Sequence, residues 1–262
     1  MKKQDVIAVI SYLIGSNENK IPTPLTKQLL QFLSKSYHLT SNEEFTSLIL
    51  RPSEEGELTV LMGQDNDIAG FSRTYKQATT VGKKIITCFT GHLYLNPNYH
   101  VPATVTCAGI KQAIQYKLDN PHEETIYIAL ANTPQAYEFL YELSDTLYPK
   151  PLQRVPDQIL TILKAIKQTN GWIDTNNHPM IINSSLVPLR SQFKQDLEES
   201  NELTEFFLST NPDYLQGNSL LVYLPLHLAN ISYGLNHQEP TLHSNQVPEE
   251  LQHNPPNPSL PH

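Results

Sequence analysis

The stretch from Lys84 to Ala131 constrains this chain most. Lys84–Leu95 is a long run rich in β-branched and aromatic residues, which favour a strand. Asn96-Pro97-Asn98 follows as a turn. Pro102 suits the first position of a helix running to about Asp119, and Asn120-Pro121 closes it. Thr125–Ala131 is then a continuous apolar run of strand length. Strand, helix and second buried strand predict a parallel pair joined by a helical crossover, hence an α/β domain. The strand–turn–helix Lys84–Asp119 is the expected ligand-binding element.

Upstream the pattern is antiparallel. Glu57–Met62 and Ile68–Tyr75 read as strands, with turns at Asp65–Asp67 and Thr79–Gly82. With Lys84–Leu95 they predict a three-stranded meander. Residues 1–55 read as helical. One helix is expected over Gln4–Ile14. A second spans Leu25–Tyr37, where Leu25, Leu29, Leu30, Phe32 and Leu33 recur at helical spacing. A third covers Asn42–Leu50, capped by the Ser41–Glu44 pair. Downstream, Pro134–Leu147, Val155–Gln168 and Leu197–Leu208 read as helices, Met180–Leu186 and Leu220–Leu226 as strands. The expected organisation is a helical N-terminal segment (1–55) packed on the core and a main domain (56–235). A polar tail (236–262), rich in Pro, His, Asn and Gln, is expected to be disordered.

Composition removes several function classes. The 262 residues carry a formal net charge of -8 without a basic stripe, so nucleic acid is not an expected partner. No run reaches the ~18 apolar residues of a membrane span. Met1-Lys2-Lys3 and apolar Val6–Ile14 lack a small-x-small cleavage site and read as a mature helix, which points to the cytoplasm. Cys88 and Cys107 form no CxxC pair, and the ten histidines form no zinc pattern, so no metal is expected. Cys88 and His92 share a strand face about 13 Å apart by strand rise, too far for a thiol–imidazole pair. The sequence gives no oligomeric state.

Three segments carry a family resemblance. Leu93-Tyr94-Leu95-Asn96-Pro97-Asn98-Tyr99-His100 is similar to the end of the fourth strand in the GCN5-related N-acetyltransferase (GNAT) superfamily. There, a segment of the type leucine-x-valine-x-proline-x-tyrosine-arginine leads into the helix that holds acetyl-CoA. Ala131-Asn-Thr-Pro-Gln-Ala-Tyr137 resembles the start of that fold's fourth helix. Phe206-Phe207, then Asn211–Gly217 and Leu220–Pro225, resemble the late part of a poorly described GNAT-like group. The resemblance spans roughly Gly56–Tyr233.

It implies a GNAT-like mixed, mostly antiparallel central sheet flanked by helices. It implies transfer of an acyl group, acetyl or longer, from acyl-CoA to an amine acceptor. The thioester is expected between two strands that diverge at Leu93–Leu95 opposite Ala129–Ala131. The backbone of Tyr94 and Leu95 would polarise its carbonyl. The coenzyme is expected on His100, Val101, Ala103, Thr104 and Val105. The family loop reads arginine or glutamine, two residues, glycine, one residue, then glycine or alanine. Here His100 takes the basic position, and Ala103 and Val105 stand where backbone N–H groups must approach a pyrophosphate. Pro102 has no N–H to give, and the hydroxyls of Thr104 and Thr106 are the available substitutes. Tyr137, three residues after Pro134, is the expected acid for the departing thiolate, with Tyr141 one turn on as the second candidate. Both tyrosines read equally as a packing face. The altered loop supports an alternative: a catalytically degenerate GNAT-like module that binds a ligand or a protein, as in a translocated bacterial effector. Low glycine (10 of 262) with abundant Lys, Asn, Gln and Ile fits an AT-rich bacterial genome.

Overall fold

The computed structural model describes residues 3–15, 21–39, 41–96, 98–101, 108–175, 178–189 and 201–233. Its centre is an eight-stranded sheet. The strands are β1 (Ala8–Ile14), β2 (Gly56–Met62), β3 (Ile68–Val81), β4 (Lys84–Leu95), β5 (Glu124–Ala131), β6 (Ile173–Asp174), β7 (Ile181–Asn183) and β8 (Asn218–Pro225). They lie in the order β1-β2-β3-β4-β5-β8-β7-β6. Every neighbouring pair is antiparallel except β4 with β5, which run parallel across the helical crossover.

Helices cover the sheet. On the face carrying Phe71 and Tyr94 lie α1 (Thr23–Leu33) and α2 (Asn42–Phe45), the latter continuing as a π turn over Thr46–Leu50. Their Leu25, Leu29, Leu33, Phe45 and Ile49 pack with Leu58, Val60, Phe71 and Tyr94. The Ser41 hydroxyl caps α2 by accepting from the Glu44 N–H at 3.1 Å, as the sequence pair predicts. Across the sheet lies α3 (Ala108–Asp119), close against Thr74 and Tyr127. Further helices α4 (Pro134–Glu142), α5 (Asp157–Asn170) and α6 (Glu202–Thr210) add Leu140, Ile162, Leu163, Ile166 and Phe207 to the larger core around β4, β5 and β8.

The expected helix over Gln4–Ile14 is not formed. Ala8–Ile14 is the sheet's edge strand, paired with β2 from Ala8–Met62 to Ile14–Gly56. Val9, Ile10 and Tyr12 favour extended backbone, and most of the strand is exposed, so no buried helical stripe competes. The first 55 residues therefore contribute to the sheet itself as well as to the helical layer. Other departures are smaller. β3 runs on to Val81, which narrows the expected Thr79–Gly82 turn to Gly82-Lys83. α4 stops at Glu142, short of Leu147, and the Met180–Leu186 strand contracts to Ile181–Asn183. The tail over 236–262 lies outside the described residues.

Arg73 of β3 is wholly buried. Its Nε donates to the Leu50 carbonyl at 2.8 Å, and Nη2 donates to Glu54 at 2.6 Å and Arg51 at 3.2 Å. Nη1 donates to the Thr74 carbonyl. A buried cation stays charged only if its donors are satisfied, and here main-chain carbonyls satisfy them. They come available because Arg51 turns left-handed at φ 45° and ends the π turn.

Candidate active site

The parallel ladder between β4 and β5 begins at Ile86–Glu124 and ends at Gly91–Ala129. Beyond it, β4 continues to Leu95 paired only with β3, and β5 continues to Ala131 paired only with β8. The two strands thus part over Leu93–Leu95, opposite the end of β5, where the resemblance implies they should. A cavity of about 380 Å³ opens at the parting. His92, Tyr94 and Leu95 form its β4 wall, Ala129 and Leu130 its β5 wall. Phe32, Ser36 and Tyr37 close one side, and Thr133, Gln135, Ala136, Phe139 and Leu140 another.

Two glycines permit this geometry. A Cβ on Gly91 would sit 1.6 Å from the Tyr127 hydroxyl oxygen, so only glycine lets that ring cross the last paired residue. A Cβ on Gly109 would lie 2.0 Å from Thr74 Oγ1, so the first turn of α3 rests directly on the sheet. The helix start is thereby held beside the mouth of the parting strands.

The cavity's polar groups are few. His92 is 9% exposed and stacks between Tyr75 and Tyr94, at ring separations of 6.1 and 6.3 Å. Its Nδ1 lies 3.4 Å from the Tyr94 hydroxyl, and its Nε2 is buried with no hydrogen-bond partner among the described residues. Burial, with the charges of Arg51 and Arg73 behind it, lowers this imidazole from 6.5 to about 3, so it is neutral at pH 7. Those arginines sit over the far ring of Tyr75, 4.7 and 5.5 Å from its centroid. Burial likewise holds the Tyr94 phenol protonated. Asn132 accepts from the Ser219 hydroxyl, and the Thr133 hydroxyl caps α4 by accepting from Ala136 N–H at 3.2 Å. The cavity lining among the described residues includes no Asp, Glu, Lys or Arg.

Of the residues the sequence singles out, Tyr94 and Leu95 line the cavity. His100 does not. With Tyr99 it makes a short parallel pairing to Gln4–Asp5, and its side chain is exposed. Val101 packs against the small cluster of Leu61, Ala69 and Tyr99. Ala103, Thr104 and Val105 lie outside the described residues. The expected catalytic tyrosines are placed elsewhere. Tyr137 is wholly buried against Phe206 and Phe207, and its hydroxyl donates to the Pro149 carbonyl at 2.8 Å. Tyr141 sits beside it under the Lys150 ammonium. The adjoining face of α4 looks into the cavity, presenting Gln135, Ala136, Phe139 and Leu140. His92 is the residue that sequence reasoning passed over. It enters there only as a partner for Cys88, whose thiol is itself buried and pushed up to about 12.

One parallel strand pair thus opens beside a cavity within the otherwise antiparallel sheet of an α/β domain. No family model and no curated protein matches the chain. Among solved structures, the chain is similar to an aminoglycoside acetyltransferase from an uncultured soil metagenomic sample, at 16% identity over 56% of this chain and 92% of that one, TM-score 0.35. It is similar to an agmatine N-acetyltransferase at 9% identity over 57% of this chain and 89% of that one, TM-score 0.35. It is also similar to a GCN5-related N-acetyltransferase from Kribbella flavida, at 11% identity over 50% of this chain and 32% of that one, TM-score 0.32. Likenesses of this size leave the functional reading to the site's own geometry.

Proposed function

We propose that the chain is an acyltransferase that moves an acyl group from acyl-CoA to an amine acceptor. The observation that carries this reading is the parting of β4 and β5 after Gly91 and Ala129 over a cavity. Parting leaves the β5-facing backbone of His92–Leu95 without a ladder partner. Such N–H groups can polarise a thioester carbonyl without reorganising. In this reading Tyr94 and Leu95 flank the thioester, and His100, Val101, Ala103, Thr104 and Val105 carry the coenzyme's phosphates towards the start of α3.

The reaction asks for positioning and one proton transfer. The amine lone pair attacks the thioester carbonyl carbon, the C–N bond forms and the C–S bond breaks. The nitrogen's proton ends on the departing CoA thiolate. In this reading the proton passes from nitrogen to sulfur without His92, whose Nε2 is buried and whose imidazole is held far below its ordinary range. Tyr137 and Tyr141, packed away from the cavity, take no part in this scheme.

Thermal unfolding with CoA, acetyl-CoA and a long-chain acyl-CoA tests the reading. A ligand at about 100 times its Kd stabilises by about 2.7 kcal/mol, a readily measured shift. No shift with any of the three at millimolar concentration sinks the acyl-CoA reading. Val105→Gly should tighten coenzyme binding by restoring close backbone approach. An unchanged affinity removes Val105 from the coenzyme loop.

A further inference from the structure

The cavity's chemistry narrows the acceptor, on the premise that this cavity is the acyl-transfer site. An ammonium acceptor needs a carboxylate, or a ring of carbonyls, to replace its hydration. The cavity-lining residues offer neither an Asp nor a Glu among those described. Its walls are Phe32, Leu33, Leu93, Leu130, Phe139 and Leu140, with an imidazole, three phenols and neutral side chains between them. Behind His92 stand two guanidiniums. Arg51 is paired with Glu54 at 3.6 Å, and Arg73, held by carbonyls, is stabilised by the same carboxylate, so two guanidiniums share one negative charge one ring away. That field opposes a second cation. The stoichiometry agrees. A neutral amine carries the one proton that the thiolate takes up, whereas an ammonium brings one more that no lining group among the described residues is placed to remove. An imidazole held this far below its ordinary range cannot strip it.

We infer that the acceptor is an aromatic amine that is uncharged at neutral pH, an aniline-type nitrogen on an apolar ring, seated among Phe32, Tyr37, Phe139 and Leu140. A cavity of about 380 Å³ suits one substituted ring beside the acyl group.

The test compares a substituted aniline with a benzylamine of equal size and with an aminoglycoside. CoA release is read with acetyl-CoA as donor, and each amine is also titrated alone by thermal shift. The aniline should stabilise the protein alone and be acetylated with kcat/KM at least about tenfold above benzylamine. Benzylamine's rate should climb about tenfold per pH unit from about pH 6 to about pH 8, as its small neutral fraction grows. Gln135→Glu places a carboxylate at the rim, in the first turn of α4 where an acidic residue is well tolerated. It should improve benzylamine binding about threefold relative to aniline. Ala136→Phe fills the cavity and should abolish stabilisation by the aniline. Equal or tighter binding of the cationic amines by the unaltered protein overturns the inference. So does aniline binding that survives Ala136→Phe. Absence of any acyl-CoA shift sinks the transferase reading alone, because the amine titrations report on the cavity without coenzyme.

Discussion

The Tyr137 hydroxyl donates to the Pro149 carbonyl oxygen at 2.8 Å, and nothing of the ring reaches solvent. Tyr137→Phe removes the donor and leaves that carbonyl unsatisfied. The expected cost is about 1–2 kcal/mol in denaturant unfolding, with acyl transfer unchanged. A loss of turnover larger than the loss of folded protein would return Tyr137 to the chemistry.

His92 makes stability depend on pH. Its folded value is about 3, below an ordinary value of 6.5. Between the two, the unfolded chain binds a proton that the folded chain does not. Stability is therefore full above about pH 6.5 and falls by about 1.4 kcal/mol per unit as the pH drops towards 3. His178, lowered by burial and by Lys167, contributes in the same direction. Urea titrations at several pH values should show a shallower acid limb in His92→Gln than in the parent. Parallel limbs would mean that the imidazole is solvated.

Gly91 and Tyr127 are coupled by contact. Gly91→Ala drives a methyl to within 1.6 Å of the tyrosine oxygen and 2.4 Å of its Cζ. The ring must move, at an expected cost of about 2–3 kcal/mol. Tyr127→Leu should absorb most of that cost, giving a double mutant clearly less destabilised than the sum. Additive effects would contradict the contact.

Arg73→Met is expected to be among the most damaging single changes in the chain. It strips partners from buried carbonyls of the 50–54 loop, at about 3 kcal/mol or more. Arg73→Lys should recover little, because one ammonium cannot reach the same oxygens in the geometry of a planar fork. Thermal melts of both variants decide this.

Much of the fold is legible in the sequence where several signals agree. Lys84–Leu95 is bounded by turns and rich in strand formers, and β4 has those ends. Ser41 and Glu44 mark a cap that forms. The segment before Gly15 misleads because a short apolar run has no decisive period, and its β-branched content is the better guide. The site is legible in part. Tyr94 and Leu95 follow from strand position, since both walls of the cavity are backbone-led. On α4 the sequence leaves Tyr137 and Tyr141 open between chemistry and packing, and the structure packs them. Aromatic identity draws attention to Tyr137 and Tyr141, while helical phase turns Ala136 and Phe139 to the cavity. His92 is invisible because its surroundings come from β3, α1 and the 51–54 loop, which only tertiary structure assembles.

The carbonyls gripped by Arg73 bear on the order in which the chain can assemble. Leu50, Arg51 and Glu54 leave the ribosome some twenty residues before the guanidinium that fixes them, by the spacing in the sequence. Until β3 arrives, the turn rests on its local bonds alone, from Arg51 N–H to the Thr46 carbonyl at 2.8 Å and from Glu54 N–H to the Arg51 carbonyl at 3.0 Å. The last hold on the N-terminal layer's closing loop therefore comes from a residue of the meander made after it.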